Sequence, residues 1–279
     1  MDKIRATQVS LNALKTRKNY LGVPAHLPLC PYALAESMGF DVRFVNIPSF
    51  EGMYVANQNL ILISAERPEG RKRFTCAHEI GHHVLKHGTI IDEILECGSN
   101  KQEEIEADFF ASMLLMPQSA VNRTLIQYNK KAEELTHTDI YILSKYFGVS
   151  YLSFLTHISS NLKLIPYRRY QHLRNVKLPE IRQSLCGATQ NNQVFFIGSW
   201  WVEKAIDMEV GDYIVSDTEL AIDGIDIIDK IDDDGRFVYV ATSSGITRIH
   251  NELWSGFVKV SRKKFTGHYQ FKYEEEADE

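Results

Sequence analysis

His78-Glu79-Ile80-Gly81-His82 sets two imidazoles four residues apart, with a carboxylate beside the first. On a helix, positions i and i+4 share a face about 6 Å apart along the axis. Two imidazoles at that spacing can hold one Zn²⁺ with Zn–N near ~2.0–2.1 Å, and Glu79 is close enough to act on a water that the metal activates. Such a centre needs a third protein ligand and leaves a fourth position open. The H-E-x-x-H pattern also arises by chance on amphipathic helices, so its flanks matter. Here Phe74, Ala77, Ile80, Gly81, Val84 and Leu85 form a core-facing stripe, and Gly81 permits close backbone approach.

The third ligand is expected in Glu103-Glu104-Ile105-Glu106-Ala107-Asp108, far enough past His82 to leave one helix, cross a loop and enter another. Glu104 and Asp108 are spaced i, i+4, so one can meet the metal while the other orients a ligand. In that arrangement Glu104 binds the metal and Asp108 accepts the free ring N–H of His78 or His82. Glu103 and Glu106 compete for the ligand position, because a single sequence does not fix the rotation of this helix.

FTCAHEIGHHVLKH followed by EEIEADFFASMLLMP resembles the ImmA/IrrE family of metallopeptidases. Members of that family are bacterial or phage-borne and act on helix-turn-helix repressors. The likeness spans roughly residues 20 to 160. It implies His78 and His82 as Zn²⁺ ligands, Glu79 as the catalytic acid/base, and a Glu of the EEIEAD segment, best Glu104, as third ligand. The implied function is a zinc-dependent regulatory endopeptidase whose protein substrate is a helix-turn-helix repressor. Two other classes remain open: a zinc-containing protein that binds the repressor without cutting it, and a DNA-binding regulator using residues 136–161. The last third of the chain carries no motif of the family.

The 279 residues can bury a sizeable core and suggest about two domains. A net charge of −5 gives no global attraction for nucleic acid, and direct contact with it is not expected. No apolar run approaches the ~20 residues of a membrane span. The first twenty residues lack a continuous apolar segment, which argues against a secretory signal. Cys30, Cys76, Cys97 and Cys186 form no C-x-x-C pair, which fits a reducing, cytoplasmic location. Cys76, two residues before His78, reads as a buried thiol.

Around the motif, residues 8–21 read as an entry helix ending near Gly22, and Pro31–Met38 as a short helix ending at Gly39. Asp41–Ile47, Gly52–Ala56 and Leu60–Ser64 read as strands of a small antiparallel sheet. The metal helix is expected from Pro68 to Gly88. Arg71, Lys72 and Arg73 form a solvated face in its early turns. His83, rotated about 100° from His82, and His87 take exposed or packing roles. Gly98-Ser99-Asn100 caps the acidic helix, which ends at Met116, and Pro117 starts another toward Lys131. Thr136–Asn161 reads as helix, turn, helix around Gly148-Val149-Ser150; its second helix lacks Arg and Lys, which disfavours DNA contact. After Pro166 the helical period gives way to β-like runs ending with His268–Tyr273, punctuated by the Asp232-Asp233-Asp234-Gly235 turn signal. The expected architecture is α+β: a zincin-like domain over 1–116, a helical helix-turn-helix-like extension over 117–165, and a β-rich accessory domain over 166–279.

Overall fold

The computed structural model describes residues 1–47, 49–87, 101–187, 192–202, 204–224, 227–233, 235–252 and 254–275. Gly88, Cys97 and the expected Gly98-Ser99-Asn100 cap lie outside the described residues. The fold is mixed α and β, and its contacts divide into two compact units. One comprises Met1–Arg123, Thr156–Lys163 and Thr266–Tyr269. The other comprises Thr124–Leu155, Leu164–Phe265 and Gln270–Glu279.

In the first unit, helix α1 (Lys3–Leu21) starts where the Asp2 side chain accepts the Arg5 N–H at 2.8 Å. It ends at Gly22, whose φ of 62° is open to a residue without Cβ. Helix α2 (Pro31–Ser37) begins on Pro31, whose missing N–H costs nothing in a first turn. Strands β1 (Asp41–Val45), β2 (Gly52–Val55) and β3 (Leu60–Ser64) follow at the expected places. Their sheet is mixed, contrary to the antiparallel expectation: β3 pairs antiparallel with β2 and parallel with β1. The chain passes from β1 to the outer β2 and returns through the middle as β3. That central place suits Leu60-Ile61-Leu62-Ile63, the most apolar of the three runs, with Ile61 and Ile63 fully buried.

Helix α3 (Glu69–Leu85) carries the H-E-x-x-H sequence and packs on β2, β3 and α2. Helix α4 (Lys101–Leu115) carries the acidic segment and lies along α3 and α1. Cys76, Ala77, Ile80, Ala107, Phe110, Ala111 and Leu114 are fully buried there. The solvated face expected at Arg71, Lys72 and Arg73 is true of Arg71 alone, which pairs with Glu51 at 2.9 Å. Lys72 and Arg73 are buried. Lys72 pairs with Glu69 at 3.1 Å and lies over the Phe44 ring, and Arg73 donates to the Leu29 carbonyl at 2.9 Å beside the Tyr32 ring. Glu69 in the first turn offsets the unfavourable placing of cations near the positive end of the helix dipole.

One strand of this sheet comes from far along the chain. Gly267–His268, β12 in chain order, pairs antiparallel with β1 at Arg43 and Phe44. The sheet therefore runs β12-β1-β3-β2. His268 Nδ1 lies 2.9 Å from Asp41, and the Tyr269 ring packs on Tyr32. The expected His268–Tyr273 strand of the C-terminal sheets is thus a two-residue strand on the metal helix's own sheet.

In the second unit, α5 (Gln118–Gln127, whose last residues belong here), α6 (His137–Phe147) and α7 (Tyr151–Thr156) occupy the expected helical positions. Thr136 and Asp139 form a reciprocal cap at the start of α6, and Gly148 (φ 66°) ends it. Two further helices, α8 (Tyr167–Arg174) and α9 (Leu178–Cys186), stand where β-type patterning was expected to begin. Both are short and start at prolines, and α8 buries only Leu173, so no apolar stripe announced it. Beyond them lie two four-stranded sheets. One, in the order β4-β6-β9-β8, contains β4 (Val194–Ile197), β6 (Tyr213–Ser216), β9 (Arg236–Ala241) and β8 (Ile228–Asp233). The other, β5-β11-β10-β7, contains β5 (Ile206–Glu209), β11 (Ser255–Ser261), β10 (Gly245–His250) and β7 (Ala221–Asp223). The β8–β9 hairpin closes with Asp233 opposite Arg236 and Gly235 at φ 95°, as the turn signal implied. Trp200 and Trp201 stand in a turn after β4 and not in a strand, both buried with ring centroids 5.5 Å apart.

Candidate metal centre

Four-residue spacing on α3 stacks His78 over His82, and their Nε2 atoms lie 2.9 Å apart. From α4, Glu104 faces both: Oε2 is 3.4 Å from His78 Nε2 and Oε1 is 3.5 Å from His82 Nε2. One donor atom from each of the three residues lies within 4.8 Å of the others. Neither Glu103 nor Glu106 shares this point. Helix rotation, which sequence left open, turns Glu106 inward against α1 and leaves Glu104 at the mouth. The Glu106 side chain is 7% exposed and that of Glu104 43% exposed.

Each imidazole is oriented from behind. His78 Nδ1 lies 2.9 Å from Asp108 Oδ1, one turn beyond Glu104. A carboxylate accepts, so His78 carries a proton on Nδ1 and turns Nε2 toward His82 and Glu104. His82 Nδ1 lies 3.1 Å from His87 Nδ1. Two imidazole nitrogens and one carboxylate oxygen converging in this way form a donor set suited to zinc. Electrostatics couple the pair. Burial disfavours charge on His78, but hydrogen bonds to Asp108 and Glu104 outweigh it and push its pKa up to about 10. Burial and the adjacent His78 push His82 down to about 4. The two rings together therefore hold one positive charge where the three donors meet.

Glu79 faces β2 of the sheet and lies within electrostatic reach of His78. Its side chain is buried, and a Cβ added at Gly52 of β2 would stand 3.2 Å from Glu79 Oε1 and 2.2 Å from Thr75 Cγ2. A residue without a side chain is thus required where β2 passes the Glu79 carboxylate. On the same helix, Gly81 does the equivalent for α4, with a notional Cβ 3.3 Å from Ala107 Cα.

His87 was missed from sequence. Its spacing implies an exposed or packing role; the side chain is 4% exposed and packs on His82, a partner that the spacing does not announce. The helix stops at Leu85 because Lys86 adopts φ 59°, which breaks the helical phase. No glycine marks that left-handed position, so the sequence carries no local signal for it. His83 fits its expected packing role: its Nδ1 is 2.7 Å from the Tyr54 hydroxyl, and its ring meets Phe40 edge-on. Cys76 is a buried thiol, as expected, with its pKa raised by burial.

A helix-borne histidine pair with an intervening glutamate, joined by a carboxylate from the next helix, defines the metallopeptidase class of centre. Residues 35–159 match the model of the IrrE N-terminal-like domain, a peptidase family. This segment is similar to the ImmA/IrrE family of metallopeptidases. It is 32% identical to the radiation response metalloprotease IrrE of Deinococcus radiodurans over 38% of this chain. The match spans 37% of that relative's length. A solved structure, a Mycobacterium tuberculosis transcriptional regulator, aligns with 55% of this chain and 46% of its own at a TM-score of 0.41 and 19% identity. Among the described residues, no helix is long and apolar enough to cross a membrane.

Proposed function

We propose that this chain is a zinc-dependent regulatory endopeptidase whose substrate is a helix-turn-helix repressor protein. The observation that carries the reading is the meeting of His78, His82 and Glu104 beside Glu79. His78 and His82 would hold zinc through Nε2, with Glu104 as third ligand. Zinc there would supply a Lewis acid that polarises the scissile carbonyl and brings the pKa of water toward ~7. Asp108 holds the Nδ1–H of His78, so the Nε2 proton is the one His78 would give up to ligate. Glu79 takes a proton from water and delivers it to the leaving amine.

The sheet supports a peptide substrate. Among the described residues β2 is one of its two edge strands and runs past Glu79, so an extended segment added to β2 would lie along the carboxylate. Support for a helix-turn-helix repressor as substrate comes from the family resemblance. The second unit would recognise that substrate or control its access. A DNA-binding role for residues 136–161 is disfavoured, since α7 offers Tyr151, Phe154 and Leu155 to the core and contains no cation.

Glu79→Gln separates an enzyme from a non-cleaving binder. The amide is nearly isosteric but cannot take a proton from water at neutral pH. The variant is expected to keep zinc and fold while losing cleavage of a co-expressed candidate repressor. Equal cleavage by both proteins removes Glu79 from the mechanism. Binding without cleavage by wild type establishes the binding reading.

A further inference from the structure

We infer that His87 is a positioning residue for the metal centre, fixing the ring of His82 through a buried relay that runs on to Glu106 and Arg5. The inference rests on the zinc reading above and adds to it three residues that contact no metal donor atom of Glu104 or His78.

The relay begins in backbone geometry. Lys86 is left-handed, its N–H reaches the His83 carbonyl at 3.2 Å, and the His87 N–H reaches the His82 carbonyl at 3.0 Å. This paired closure folds the residue after the left-handed position back over the helix, where it meets the side chain five residues earlier. Apolar groups usually meet there. In this chain the two are His87 and His82, with ring centroids 5.1 Å apart.

Burying an imidazole in place of an apolar residue is costly unless both nitrogens are satisfied. Both are. His87 Nδ1 is 3.1 Å from His82 Nδ1, and His87 Nε2 is 3.4 Å from Glu106 Oε2. Proton placement then follows from the far end. A carboxylate accepts, so His87 Nε2 carries hydrogen and its Nδ1 is an acceptor. His82 must therefore donate from Nδ1, which leaves its Nε2 lone pair directed at His78 and Glu104. That is the tautomer a metal ligand needs. Glu106 is itself held: Arg5 donates to Oε2 from Nε at 2.9 Å and also from Nη2, and Gln102 donates to Oε1 at 3.0 Å. The N-terminal helix thereby reaches the centre without touching it.

The two ligating histidines are supported unequally. His78 leans on Asp108, whose side chain is 63% exposed, whereas His82 leans on a chain of buried groups anchored by an ion pair. Water can substitute for Asp108 more readily than for His87.

The test measures zinc affinity of the full chain by competition with a chromogenic chelator, with cobalt absorption as a second reading of ligand geometry. His87→Phe keeps the ring volume but neither nitrogen, and is expected to weaken zinc by about 10–100-fold, the usual cost of removing such a partner. His87→Asn restores an acceptor near the Nδ1 position and is expected to recover most of that loss and the wild-type cobalt spectrum. Arg5→Met, on an outer helix, is expected to weaken zinc several-fold, with the accompanying loss of fold stability read separately from the metal-free melting temperature. Wild-type affinity in His87→Phe overturns the inference, and so does equal loss in His87→Phe and His87→Asn, which would make the role one of packing. Should His87→Phe not fold, unchanged affinity in Arg5→Met overturns the relay. Failure of the zinc reading itself is distinct: wild type would bind zinc no better than His78→Ala, and the inference would fall with it.

Discussion

Gly81→Ala should loosen the metal centre far more than it loosens the fold. Gly81 lies mid-helix between His78 and His82, and Ala107, one turn after Glu104, faces it from α4. The added Cβ would stand 3.1 Å from Phe110 Cδ1, 3.3 Å from Ala107 Cα and 3.4 Å from the Ala107 carbonyl oxygen. Carbon atoms prefer about 3.5–4.0 Å, so α3 and α4 must part by a few tenths of an ångström. Two of the three contacts are backbone and cannot swing aside. Overpacking of this kind costs about 1–3 kcal/mol, while replacing a helical glycine returns about 1 kcal/mol. Metal-free stability should therefore fall by no more than about 2 kcal/mol. The donor set has less slack. Glu104 meets the histidines from the helix that is pushed away, at 3.4 and 3.5 Å, and such sites need placement within about 0.5 Å. Zinc affinity is expected to drop at least about tenfold. Thermal melts in chelator, set against zinc competition titrations, read the two effects separately. A variant stabilised by the full helical gain with unchanged zinc affinity would refute the reasoning, because the helices could not then be held at this separation.

Glu104→Ala should cost more zinc affinity than Glu106→Ala, and Glu103→Ala should cost least, since only Glu104 shares the donor point. Metal analysis of the three variants checks this, and the reverse order would move the third ligand. Stability of the first unit should also fall in mild acid through His157. That ring is buried, its Nε2–H donates to the Met116 carbonyl at 2.8 Å, and its Nδ1 accepts from Asn161 at 3.0 Å, all in the neutral form. Burial lowers its pKa to about 4, against the partial offset of the Met116 bond. The unfolded chain, with its histidine near ~6.5, binds the proton first. Stability from this group is thus full above pH ~6.5, declines down to about 4, and amounts to roughly 3 kcal/mol. In chelator, His157→Gln should flatten the urea-midpoint profile across that window; an unchanged slope would assign the acid loss elsewhere.

Much of the centre was legible because its chemistry is local in sequence. Four-residue spacing fixes the relation of His78 to His82, and of Glu104 to Asp108, on any helix. What spacing cannot supply is the phase between two helices. Glu103, Glu104 and Glu106 therefore remained competitors until the packing of Ala107 against Gly81 set the rotation of α4. The left-handed Lys86 hid His87 for a related reason. A glycine there would have announced the end of the helix, whereas a lysine pays strain for the same turn and leaves no mark. Lys72 and Arg73 misled in the opposite direction: consecutive cations suggest solvent, but Glu69, the Phe44 ring and the Leu29 carbonyl provide a buried alternative. The parallel pairing of β1 with β3 depends on which strand takes the centre of the sheet, a choice made by apolar content across all three.

The strand furthest from the motif bears on how the chain's parts can be tested. Gly267–His268 extends the sheet on which α3 packs, and Tyr269 covers Tyr32 behind the buried Glu69–Lys72 pair. A shortened chain ending before residue 164 would lose this strand along with most of the second unit. Lost zinc binding in such a chain would then report an unfinished sheet, and would say nothing about whether the second unit supplies a ligand. Point substitutions avoid the ambiguity. His250 belongs to the second unit and is 3.1 Å from Asp223, while His268 belongs to the first and is 2.9 Å from Asp41. Neither is among the three donors that meet on α3 and α4. Under the division of labour we propose, zinc chemistry depends on α1, α3 and α4, and the second unit acts on substrate or control without touching the metal.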